Sequence, residues 1–221
     1  EQTDIFLPWT RALPEIYEET YHENLLEHLP ELFWELPEGK LSAVRWRFEN
    51  LVTDLFVKTY CRKIGDWCRE HNLYLTGHVM GEGSLSDQTQ AVGDAMRCYR
   101  AFVLPGIDML CDFHEYTTAK QTASIVHQNG AEGMLSELYG VTGWDYDFRG
   151  YKLQGDWQAA LGVTVRVPHL AWMTMKGEAK RDYPASISYQ SPWAEEFSMI
   201  EDHFARLNTA LTRGKPVVRV A

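Results

Sequence analysis

Histidines, acids and aromatics recur where short apolar runs come to an end: His78 and Glu82, then Asp112, His114 and Glu115, then Glu137 and Tyr139, then His169 and Trp172. The chemistry these residue types suit best is cleavage of a glycosidic bond. A carboxylic acid with a raised pKa must protonate the leaving sugar oxygen, and a second carboxylate must attack the anomeric carbon or activate a water. Glu82, held between Gly81 and Gly83, and Glu137, which follows an apolar run, are the glutamates placed most directly for this work. The neighbouring His and Tyr would bind hydroxyls, and Trp144 or Trp172 could stack on a sugar face. Each feature also has a plainer reading. A loop glutamate is often only solvated, and a histidine is often only a hydrogen-bonded part of the fold. Glu137 escapes that reading more easily, because burying an unpaired carboxylate is costly. Two other functions compete: a metal-assisted hydrolase using His78, His114 and His169, and a sugar-binding fragment that does not hydrolyse.

Residues of this kind act together only if the chain brings those ends to one place. The apolar run Leu73–Leu75 reads as a buried parallel strand running out through Thr76, Gly77 and His78 into the Gly81-Glu82-Gly83 turn. Before it, residues 44–71 carry Val44, Phe48, Leu51, Leu55, Tyr60, Ile64 and Trp67 at helical spacing. After it, residues 83–103 read as a second helical stretch closed by Leu104-Pro105-Gly106, then a strand over 107–112. A helix over 117–129 ended by Gly130, a strand over 133–136, a helix over 151–161 and a strand over 163–168 follow. Ser191 and Pro192 read as the N-cap and first residue of a last helix, which leads to a fifth strand over 216–221. Helix then strand, repeated with no hairpin signal, predicts an α/β fold with a parallel sheet built from right-handed crossovers. Its strand ends then share one rim, where βα architectures place ligands.

Units of roughly 25–50 residues suit a (β/α) barrel or a doubly wound sheet. No dinucleotide fingerprint or phosphate loop is present, and the barrel is favoured. A whole barrel needs about 250 residues and eight strands, so the expectation is a partial TIM barrel. Residues 44–221 would be its C-terminal portion, with the N-terminal strands missing. Residues 1–43, with Pro8, Pro14, Pro30 and Pro37, read as an irregular excursion packing on that barrel. The start at Glu1, with neither Met nor signal peptide, reads as a processed end or a boundary within a longer chain.

Composition narrows the partners. The net charge of −10 and the absence of any basic run argue against nucleic acid and anionic membrane surfaces. No apolar segment approaches bilayer-spanning length. The four cysteines (Cys61, Cys68, Cys98 and Cys111) form no CxxC pair and are expected to be free thiols.

Three stretches carry a family resemblance: KQTASIVHQNGAEGMLSELYGVTGWDYDF, DWQAALGVTVRVPHLAW and KRDYPASISYQSPWAEEFSMIEDHFARLNTALTRGKPV. Over roughly residues 45–221, and best over 118–216, the chain resembles bacterial barrel glycosidases of the α-L-rhamnosidase type, glycoside hydrolase family 106. There a histidine-containing helix leads into a strand ending Ser-Glu, and a Gly-Val-[Asn/Thr] strand then ends in Pro-His. The resemblance implies that Glu82 is the acid/base, that Glu137 is the second carboxylate, and that His169 and His78 contact substrate. Thr164 stands where the family carries Asn. The resemblance also admits calcium, for which the carboxylates could supply oxygen ligands. No EF-hand-like spacing is present, and no metal site or cofactor is expected from the residues themselves. The partner expected is a carbohydrate.

Overall fold

The structure, a computed structural model, describes residues 7–174, 176 and 187–217. Residues before the sheet build a helical cap. Helix α1 (Leu13–Tyr21), a 3-10 turn over Leu25–His28 and the short α2 (Pro30–Phe33) lay Leu13, Tyr17, Leu25 and Leu32 on Val44, Phe48 and Leu51 of α3 (Ala43–Phe56). Ser42 caps α3 by accepting the Arg45 N–H on its Oγ at 3.0 Å. A π turn over Val57–Cys61 joins α3 to α4 (Arg62–Glu70). The wider turn shifts the phase of the apolar stripe. Cys61, Gly65 and Cys68 therefore take the buried positions, and Tyr60 and Trp67, expected in the stripe, face outward. All four cysteines are free thiols.

The sheet has four parallel strands in chain order, β1 (Thr76–Gly77), β2 (Leu104–Met109), β3 (Leu135–Leu138) and β4 (Val165–Pro168), curled into a half-barrel with helices outside. This is the α/β architecture that the alternating sequence pattern predicts. Crossovers are made by α5 (Leu85–Ala91) with α6 (Ala95–Tyr99), by α7 (Tyr116–Asn129) and by α8 (Phe148–Ala160), and α9 (Ser198–Leu211) covers α8. Strand alternation divides the side chains. Ile107, Met109 and Leu138 are buried on the outer face under the helices. The inner face carries Gly106 and Asp108 from β2, Leu135 and Glu137 from β3, and Val165 and Val167 from β4, with Asp108, Glu137 and Val167 in register. Gly106 lets the first two strands meet: a Cβ there would stand 2.7 Å from the Gly77 carbonyl oxygen.

Several boundaries differ from the sequence reading. Leu73 and Tyr74 are 51% and 61% exposed rather than covered on both faces, because pairing with β2 begins only at the Leu75 carbonyl, which accepts the Val103 and Leu104 N–H groups. The single helix expected after Gly83 is two. It breaks at Gly93, whose φ of +80° ends α5, and Asp94 caps α6 through the Arg97 N–H. Leu104-Pro105-Gly106 opens β2 instead of closing a helix. Proline is tolerated there because the ladder to β3 starts only at Gly106, opposite Leu135. Glu137 lies within β3, not beyond it. The last helix starts at Ser198 rather than at Pro192 behind a Ser191 cap, and the Ser191 N–H closes a turn on the Ser188 carbonyl at 2.7 Å. Of the expected fifth strand, residues 218–221 lie outside the described residues, as do residues 1–6 and most of the loop before Ile187.

Candidate active site

The turn that carries Glu82 is pinned from three sides. Gly81 adopts φ +70° and sits so close to α5 that a Cβ would meet the Asp87 carbonyl oxygen at 2.9 Å. Ser84 caps α5 by accepting the Asp87 N–H. The Glu82 carbonyl oxygen accepts from Gln88 Nε2 at 3.0 Å and from Thr118 Oγ1 at 2.9 Å, so α5 and α7 both hold its backbone. Its side chain is 8% exposed. Oε1 accepts the Tyr99 hydroxyl, and Oε2 accepts the Asp108 N–H at 3.2 Å. Burial drives the Glu82 pKa up to about 7, against the opposing pull of Tyr99, the Asp108 N–H and His78. Asp108 pushes it further up. Glu82 is therefore a carboxyl that exchanges its proton near neutrality, which is what a general acid requires.

His78 stands among three carboxylates. Its Nδ1 lies 3.1 Å from the Val79 carbonyl oxygen, an acceptor only, so Nδ1 is assigned the hydrogen. Nδ1 is 3.8 Å from Glu82 Oε2, and Nε2 is 3.8 Å from both Asp108 Oδ2 and Glu137 Oε2. On the far side His169 Nε2 lies 3.9 Å from Glu137 Oε1. These gaps are too long for direct hydrogen bonds and leave the groups as close polar neighbours. Glu82 and Glu137 are thus separated by no more than two 3.8 Å contacts and the width of one imidazole ring. That bound accommodates the roughly 5–9.5 Å at which glycosidases set their carboxyl pairs. Burial, followed by the charge of Glu137, raises the Asp108 pKa as well. Asp108 Oδ1 and His169 Nδ1 are buried with no hydrogen-bond partner among the described residues.

Four of the residues singled out in the sequence, His78, Glu82, Glu137 and His169, therefore meet. Glu115 stands behind them at the start of α7, beside Gly83, its Oε2 2.9 Å from Thr118 Oγ1 and sharing that hydroxyl's one hydrogen with the Glu82 carbonyl. Asp112 and His114 are exposed, and His114 leans on Trp157 with ring centroids 4.5 Å apart. The three histidines of the metal reading are not gathered, and no group of three or more His, Cys, Asp or Glu fit for a metal occurs among the described residues. Tyr139 turns away. Its φ of +70° sends the ring outward under α8, where it is fully buried, donating to the Tyr151 carbonyl at 3.2 Å and accepting from Arg166. A substrate hydroxyl does not reach it there. Trp144 is half-exposed on the loop after β3, and Trp172 is half-buried beyond β4. Two site residues escape the sequence reading, Asp108 and Tyr99. Asp108 leaves one trace, an acid between Ile107 and Met109 in an apolar strand; Tyr99, on a short helix, leaves none.

A solved structure with this fold is that of a rhamnosidase from Novosphingobium sp. PP1Y, which superposes over 94% of the chain with a TM-score of 0.75 and 18% sequence identity. In fold, the chain is similar to part of that rhamnosidase. It spans 21% of the rhamnosidase chain's length. At this identity the likeness speaks for the fold alone. No protein-family model matches the chain, and no curated protein matches its sequence.

Proposed function

We propose that this half-barrel carries the active site of a glycoside hydrolase acting on a carbohydrate, rhamnosidase-like in type. The observation that carries the reading is the pairing of Glu82, buried and protonated up to about pH 7, with Glu137 across His78. Glu82 protonates the glycosidic oxygen as the bond to the anomeric carbon breaks. Glu137, more open to solvent, attacks that carbon or takes the proton of the water that does. His78, His169 and Asp108 receive sugar hydroxyls. The same proposal covers the architecture: residues 44–221 form the C-terminal portion of a (β/α)8 barrel. The curl of the four-stranded parallel sheet supports that reading.

The test is a screen of aryl glycosides, aryl α-L-rhamnoside among them, on the whole protein that carries this chain. Glu82→Gln and Glu137→Gln should each lower kcat by roughly 10²–10⁴-fold with circular dichroism unchanged. Undiminished hydrolysis in both variants would exclude these residues. Sugar binding that persists in the wild type without any turnover would instead make the site a carbohydrate-binding module.

A further inference from the structure

We propose that Tyr99 is a positioning residue for Glu82: its hydroxyl occupies Oε1, so that the proton Glu82 carries is held on Oε2, the oxygen that faces His78. The tyrosine is 1% exposed, with its ring set edge-on against Phe102 at 5.5 Å between centroids. Its oxygen accepts the Val79 N–H at 3.2 Å, which directs its own hydrogen to Glu82 Oε1. Burial and the adjacent Glu82 charge raise the Tyr99 pKa well beyond its ordinary value, so the phenol stays a donor throughout the working pH range. With Oε1 permanently accepting, protonation falls to Oε2. One lone pair of that atom accepts the Asp108 N–H, and the other is left for the proton.

The groups around this carboxyl come from every neighbouring element. His78 faces it from the end of β1, the Asp108 carboxylate from β2 and Tyr99 from α6, while the Thr122 hydroxyl of α7 is buried without a hydrogen-bond partner among the described residues. Glu115 and Glu137 act one step away, through Asp108. Among these groups Tyr99 is the strongest influence favouring the ionised form. Removing its hydroxyl should make Glu82 hold its proton more tightly. The catalytic consequence rests on the active-site reading above, whereas the effect on the titration of Glu82 does not.

The experiment follows the carbonyl stretch of protonated Glu82 by difference infrared spectroscopy across a pH series, assigned by its loss in Glu82→Gln. Tyr99→Phe keeps the ring and should move the midpoint upward by about 1–2 pH units. Difluorotyrosine incorporated at position 99 keeps the shape and strengthens the donor, so it should move the midpoint downward. This second protein also decides the matter should Tyr99→Phe not fold. A midpoint unmoved by either change, or no Glu82 signal titrating between about pH 4 and pH 9, overturns the proposal. If the midpoint moves but the alkaline limb of hydrolysis does not follow, Tyr99 keeps its role and the glycosidase reading falls.

Discussion

Replacing Glu82 with Gln should flatten the dependence of folding stability on pH. In the folded chain the Glu82 pKa stands at about 7, against 4.5 for an ordinary glutamate, because the carboxyl is buried. Between those values the folded state keeps a proton that the unfolded state has released. Stability therefore falls as the pH rises through that window and is fully present only below its lower edge. At about 1.4 kcal/mol per pH unit, the shift amounts to about 3 kcal/mol, a large part of the roughly 5–15 kcal/mol that holds a typical domain together. Asp108, whose pKa also rises, adds to the slope in the same direction and remains in the variant. The informative quantity is thus the difference between the two proteins. Glutamine is neutral throughout and still accepts from Tyr99 through its oxygen, but its amide nitrogen cannot accept the Asp108 N–H. Absolute stability at low pH should drop by about 1 kcal/mol. Urea denaturation from about pH 5 to about pH 8 should show the wild type losing about 2–3 kcal/mol more than the variant. Parallel curves for the two proteins would refute the argument that burial forces the proton onto this carboxyl.

Two further substitutions test the scaffold behind the site. Gly155 lies in α8 where a Cβ would stand 2.1 Å from the Phe204 ring, so Gly155→Ala should destabilise by about 1–3 kcal/mol despite its better helix propensity, as measured by thermal unfolding. An unchanged melting temperature would mean that α9 rests less firmly on α8 than the contact implies. Arg166 stacks its guanidinium 3.7 Å over Phe204 while donating to the Tyr139 hydroxyl at 3.1 Å and to Glu201 at 3.2 Å. Arg166→Lys keeps the charge but loses the fork and the stacking. It should cost about 1–2 kcal/mol in urea denaturation, and a loss below about 0.5 kcal/mol would make this cluster incidental.

Local signals in the chain were sufficient for what short-range physics decides. Helical spacing before each apolar run and the stop at Gly130, left-handed after α7, both follow from neighbours a few residues apart. From these come the alternation of helix and strand, the parallel sheet and the placing of His78, Glu82, Glu137 and His169 near one rim. Which face each residue joins was decided by tertiary structure, because strand side chains alternate and register between strands depends on contacts distant in sequence. Asp108 enters the site only because its strand sets it opposite Glu137. Tyr139, two residues on from Glu137, leaves it because a positive φ turns its ring beneath α8. Tyr99 reaches Glu82 from a helix whose own sequence says nothing of that contact. Burial completes the division. The sequence names Glu82 as an acid, but only the packed fold, by excluding water from its carboxyl, brings its proton to the edge of release near neutral pH.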